Sequence, residues 1–202
     1  MTRDYKHIDQ HLNKLLGEVY PQPDDPGHTR MAQKVIDQWA SRMTTCHSVL
    51  DVGCGTAFCQ PMFENWGMSY EGICLGEDYL VGKELGRNVK RMDFNFLEYE
   101  DESFDLVFSR HSLEHSPMPI LSLMEWRRVA KNWLGLILPA PEWYTYKGQN
   151  HYSVMNLDQI NNLLDMSGWR LLWQEVHMET PDKEKPDERL PNEYWLMSEK
   201  KR

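Results

Sequence analysis

At 202 residues the chain is long enough for one sizeable core and too short for a second full domain. Acidic residues outnumber basic ones by 31 to 22, a formal charge of −9, so no field is expected that gathers phosphate backbones, and nucleic acid is not the expected partner. Every apolar run is far shorter than the roughly 20 residues that span a bilayer, and the opening MTRDYKHIDQH lacks the apolar centre of a signal peptide. A soluble, cytoplasmic protein without membrane insertion is therefore expected.

Two helices are predicted first, DYKHIDQHLNKLLGEVY and TRMAQKVIDQWASRM, separated by the breaker-rich PQPDDPGH. Leu12, Leu15, Leu16 and Val19 recur at helical spacing, as do Met31, Val35, Ile36 and Trp39, so each helix has one apolar face. Residues 1–47 read as a helical cap, a lid or packing layer on the rest of the chain. From Ser48 onward short apolar runs alternate with helical segments. SVLDV, SYEGICL, NVKRM, FDLVFS and WLGLILP read as strands; AFCQPMFENWG, EDYLVGKELG and PILSLMEWRRVAK read as the helices between them. That alternation implies right-handed crossovers and a mostly parallel sheet covered on both faces. After a helix around NLDQINNLLDMSG, the runs WRLLWQEVHME and NEYWLMSEK succeed one another without a helix and should pair antiparallel. The charged TPDKEKPDERLP between them reads as a solvated loop.

The four cysteines, Cys46, Cys54, Cys59 and Cys74, show no C-x-x-C spacing and read as small, reduced, buried side chains. The segment VLDVGCGTA carries the strongest functional signal. A strand runs through Asp51, and Gly53 and Gly55 then open a turn into a helix, where a nucleotide-like ligand can lie against the backbone.

With the later motifs MDFNFLEYEDESFDLVFSRHSLEH, LMEWRRVAK and HYSVMNLDQINNLLDMSGW, the chain from about Ser48 to about Trp173 resembles the class I S-adenosylmethionine-dependent methyltransferases, in the branch that includes quinone and other small-molecule enzymes. The resemblance implies an α/β, Rossmann-like αβα sandwich over residues 48–202. Its seven-stranded, mostly parallel sheet would end in an antiparallel C-terminal hairpin. It also implies S-adenosylmethionine as cofactor and a small-molecule acceptor as partner. Asp51, Gly53 and Gly55, with Cys54 between the glycines, would line the methionine moiety. Asp93 would accept from the adenine amino group, flanked by Met92 and Phe94, and Ser109 and Arg110 would lie beside the sulfonium. Two departures stand out. Ala57 replaces a third glycine, and Cys74 stands where an acid normally grips the ribose hydroxyls, so that either cofactor binding is weaker or Glu77, preferred here over Asp78, reaches back.

A general base for the acceptor is sought among His111, His115 and His151, with His151 and His111 as the catalytic candidates. Trp143, Tyr144 and Tyr146 read either as walls of an acceptor pocket or as loop packing under the N-terminal helices, and Tyr5 and His28 would enter if those helices close over the site. Glu125, Arg127 and Arg128 read as a solvated or ion-paired helix face. Two competing readings remain. His111, Glu114 and His115 spell H-x-x-E-H, a zinc-hydrolase motif, but Pro117 and Pro119 deny it a continuous helix and no third ligand is spaced nearby, so no metal is expected. A non-catalytic cofactor-fold protein with a degenerate ribose site is the second.

Overall fold

The computed structural model describes residues 26–141, 150–177 and 193–202, with helical positions at 6, 7, 10, 13 and 14 before them. The expected roles of Tyr5, the His28 side chain, Trp143, Tyr144, Tyr146 and the charged connection 178–192 lie outside these residues.

Each apolar run predicted as a strand becomes one. The strands are β1 (Ser48–Val52), β2 (Ser69–Cys74), β3 (Val89–Arg91), β4 (Phe104–Arg110), β5 (Ala130–Pro139), β6 (Trp169–His177) and β7 (Glu193–Lys200). They form one sheet in the order β3-β2-β1-β4-β5-β7-β6. The first five are parallel, and β7 runs antiparallel to both β5 and β6. The chain builds outward from β1 to β3, then returns to lay β4 on the other side of β1. At that reversal the loops leaving β1 and β4 diverge, and a crevice opens beyond the strands' carboxyl ends.

The helices are α1 (Pro26–Ala40), α2 (Gln60–Glu64), α3 (Asp78–Glu84), α4 (Pro119–Val129) and α5 (Leu157–Met166), with a 3-10 turn at Leu113–His115. Strand alternation sends successive side chains to opposite faces. Val49, Leu106, Phe108, Ile137 and Trp195 join one core with Met31, Val35, Ile36 and Trp39 of α1 and Phe63 of α2. Leu50, Val107, Leu134, Leu136 and Leu196 join another with Leu123 and Trp126 of α4 and Ile160 and Leu164 of α5. The result is the expected three-layer sandwich. The described part of the N-terminal cap, α1, is a packing layer of this core: Met31, Ala32 and Val35 are fully buried.

Two local details come from the residues themselves. The predicted helix AFCQPMFENWG shrinks to the five residues of α2, because Gly53, Gly55 and Ala57 all take positive φ (+73°, +55° and +58°) and no right-handed helix can start among them. At the other end of the sandwich, α4 runs into β5 without a turn, since Ala130 is already extended at φ −77°, ψ 137°. The charged face of α4 is bonded rather than simply solvated. Arg128 pairs with Glu125 at 2.7 Å and donates to the Leu97 and Tyr99 carbonyls, and Arg127 donates to those of Gly168 and Lys201.

Candidate functional site

The crevice floor is the turn after β1. Gly53 and Cys54 both donate their amides to the Ile73 carbonyl, at 2.8 and 3.0 Å, which fixes the turn against β2. A Cβ on Gly53 would lie 2.0 Å from the Ser112 hydroxyl, so this position admits only glycine while Ser112, arriving from the end of β4, rests on it. Asp51 points into the α1-side core beneath this turn, 3% exposed, and accepts a 2.7 Å hydrogen bond from the Tyr70 hydroxyl. Burial pushes the Asp51 carboxyl up to about 7; the Tyr70 hydrogen bond and the charge of Arg110 offset only part of that rise. A carboxylate buried in this way is stabilised by a cationic partner, and the amino group of an amino-acid moiety supplies one. Tyr70 reaches it because Gly72 lies between: a Cβ there would stand 2.7 Å from the Cys54 thiol and 2.9 Å from the Tyr70 hydroxyl.

At the end of β2, Cys74 is buried with its thiol 3.6 Å from the Gly76 carbonyl. Burial holds the Cys54 thiol well up, and its hydrogen bond to Cys74 lowers the latter. The expected ribose acid, Glu77, is exposed at the N-cap of α3, whereas Asp78 is buried and its charge acts on the Cys74 thiol. Asp93 lies two residues beyond β3, where one oxygen accepts from the backbone amide and side-chain amide of Asn95 at 2.9 and 2.8 Å. Phe94 sets its ring edge-on to Trp126 at 5.8 Å and accepts from the Trp126 indole through its carbonyl. Met92 and Phe94 border the α4-side core.

The residues ending β4 behave differently from each other. Ser109 is fully buried, and its hydroxyl meets no partner among the described residues. Arg110 lies on the α1 side and pairs with Glu193 of β7 at 2.5 Å. Glu193, fully buried, also accepts from His111 Nε2 and the Trp195 indole, both at 2.7 Å. Burial alone would raise its carboxyl, but the Arg110 charge and the His111 and Trp195 bonds outweigh that and hold it at about 2. The Arg110 charge is thus neutralised inside the sheet layer.

His111, in the left-handed region at φ +50°, turns the chain into the 3-10 turn and places Nδ1 3.9 Å from Glu114. Glu114 is 2% exposed, and burial pushes its carboxyl up to about 7. His115 stacks edge-on with His151, ring centres 4.7 Å apart. Burial and His151 bring His115 down to about 4; burial and His111 lower His151. The candidate bases His111 and His151 therefore meet around Glu114 and His115. Sequence reading missed Tyr70, Asn95, Glu114 as a buried acid, and Glu193. The one local signal was for Glu193, a charge heading the otherwise apolar strand EYWLM.

A family model described as a methyltransferase domain matches residues 50–133. Among curated proteins, none matches the chain by sequence. A SAM-dependent methyltransferase from Archaeoglobus fulgidus superimposes with a TM-score of 0.68 at 18% identity, covering 85% of this chain and 94% of its own. A protein from Pyrococcus horikoshii OT3 gives 0.72 at 16%, covering 90% and 95%. The cyclase SpnF gives 0.67 at 17%, covering 98% and 94%. Residues 50–133 thus match a methyltransferase-domain model, and the chain has the fold of the class I S-adenosylmethionine-dependent methyltransferases, enzymes whose cofactor is S-adenosylmethionine.

Proposed function

We propose that this chain transfers a methyl group from S-adenosylmethionine to an oxygen, nitrogen or carbon nucleophile of a small-molecule acceptor, by in-line displacement in the crevice beyond β1 and β4. The observation that carries the reading is Asp51: a buried carboxyl that accepts from Tyr70 beneath a turn whose Gly53 position admits only glycine, with burial raising its pKa.

The bound cofactor supplies a methyl group already activated by sulfonium charge. What remains for the protein is alignment, with proton removal where the nucleophile carries one. Asp51 holds the ammonium end, and the backbone of Gly53, Cys54 and Gly55 admits the chain of the ligand. Asp93 receives the adenine amino group, its position locked by Asn95. With Cys74 at the end of β2, the ribose hydroxyls fall to Asp78 rather than to the exposed Glu77. Of the two histidines, His111 has the geometry of a base. Its Nε2–H donates to Glu193, which sets the tautomer that carries the lone pair on Nδ1, and Nδ1 stands 3.9 Å from the Glu114 carboxyl.

Cofactor titration by calorimetry tests the reading. Asp51→Asn is expected to weaken binding by roughly 10- to 150-fold, the worth of a charge-assisted hydrogen bond of about 1.5–3 kcal/mol. No cofactor binding by the unaltered protein, or an unchanged constant in the variant, would sink it. Cys74 favours a second reading, a cofactor-fold protein that does not methylate; SpnF shows that a cyclase can have this fold. Binding without labelled methyl transfer across an acceptor screen would select that alternative.

A further inference from the structure

We infer that Glu114, His115 and His151 form a binding site for one divalent metal ion of the zinc class, at the rim of the crevice. One ligand-capable atom from each of these residues lies within 4.8 Å of the others. A carboxylate and two imidazoles are the oxygen and nitrogen donors that zinc, cobalt and nickel take readily, whereas magnesium and calcium favour all-oxygen sets. The spread exceeds that of a filled site, where each ligand stands about 2.0–2.2 Å from zinc, so ion binding requires the side chains to draw together.

Glu114 supplies an independent observation. It is 2% exposed, and its Oε2 has no hydrogen-bond partner among the described residues. A buried carboxylate oxygen is costly in that state, and a cation beside it removes the cost. The surroundings also orient the donors. His115 Nδ1 donates to the Asn150 carbonyl at 3.1 Å, and a ring nitrogen bonded to a backbone carbonyl is the outer-shell arrangement found in metal-bound histidines. The Ser153 amide donates to the Glu114 carbonyl at 2.9 Å, and the Ser153 hydroxyl to the Ser116 carbonyl at 2.5 Å. These bonds clamp the segment bearing His151 onto the turn bearing Glu114 and His115.

The H-x-x-E-H letters thus acquire a different meaning. A helical motif would use His111 and His115 from one face. Here the prolines limit the segment to a 3-10 turn, His111 turns to Glu193, and His151 supplies the third ligand from beyond β5. Three protein ligands leave a position open to water or an acceptor oxygen. The assignment does not depend on the methyl-transfer reading.

The test uses the full chain freed of metal by chelator, titrated with zinc by calorimetry and with cobalt(II) by visible absorption. The expected result is one ion per chain, with cobalt d–d bands and no strong thiolate charge-transfer band. Glu114→Gln and His151→Ala should each weaken zinc at least about tenfold, since losing even an outer-shell partner costs roughly 10–100-fold; the exposed His47→Ala should not. Should Glu114→Gln fail to fold by circular dichroism, His151→Ala decides, together with a zinc-induced rise in Tm present in the unaltered chain and absent in the variant. No zinc uptake, uptake that His151→Ala leaves unchanged, or a dominant thiolate band would overturn the assignment.

Discussion

At residue scale the site depends on which side chains are missing as much as on which are present. Gly72 leaves the gap through which Tyr70 and Cys54 approach Asp51. Gly72→Ala is expected to displace both and to cost about 1–3 kcal/mol as overpacking, read as a lower urea midpoint with an unchanged slope. Ala57 shows the opposite compromise. Its φ of +58° costs about 1–2 kcal/mol for a residue with a Cβ, and its fully buried methyl recovers only about 0.8 kcal/mol of that. Asp51 also sets a pH dependence. Its folded pKa of about 7 lies above the ordinary 3.8, so its protonated form stabilises the free protein most below about pH 4, and that contribution is lost as pH rises through 7. The ammonium of a bound ligand needs the ionised form. Cofactor affinity should therefore rise by up to about tenfold per pH unit as pH climbs toward 7, then level off. Calorimetry at pH 6 and 8 checks this, and Asp51→Asn should flatten the difference.

At the scale of elements, α1 and β5 fit through one small residue. A Cβ on Gly135 would stand 2.6 Å from Cζ3 of Trp39, whose ring also meets Phe108 and Trp173 edge-on, so the strand and the ring are in direct contact at this glycine. Gly135→Ala is expected to lower stability by about 1–3 kcal/mol, seen as a drop in Tm. If it were neutral, α1 would not be a fixed layer of the sandwich. The capping box at α5 acts on a smaller scale: Asn156 and Gln159 each bond the other's backbone amide, starting the helix immediately after the segment that carries His151.

Across the whole molecule, Glu193 joins the parallel half of the sheet to its antiparallel edge, because Arg110 and His111 leave β4 while Glu193 and Trp195 begin β7. Removing the charge by Glu193→Gln leaves Arg110 buried without its counter-ion, expected to cost about 3–5 kcal/mol. The sign with pH is set by its depressed carboxyl. With a folded pKa of about 2 against an ordinary 4.5, its contribution is present above about pH 4.5 and lost as pH falls through 2. Urea unfolding at pH 7 and pH 3 should show a smaller acid-induced loss in the variant than in the unaltered protein.

Periodicity and turn chemistry are local, and they determined the order of strands and helices, the parallel sheet with its antiparallel end, and the glycine turn through Asp51, Gly53 and Gly55. Each depends on residues a few positions apart, whose preferences survive in the folded chain. The partners of those residues were not legible, since pairing across a sheet is decided by register and by which face a side chain takes. Tyr70 meets Asp51 through the pairing of β2 with β1, and Glu193 meets Arg110 and His111 from 83 and 82 residues further along the chain. Asp78 rather than Glu77 became the buried acid because the N-terminus of α3 rotates one inward and the other outward. The tertiary structure also decided the meaning of H-x-x-E-H: two prolines prevented the helix, and the loop after β5 brought His151 to Glu114 and His115.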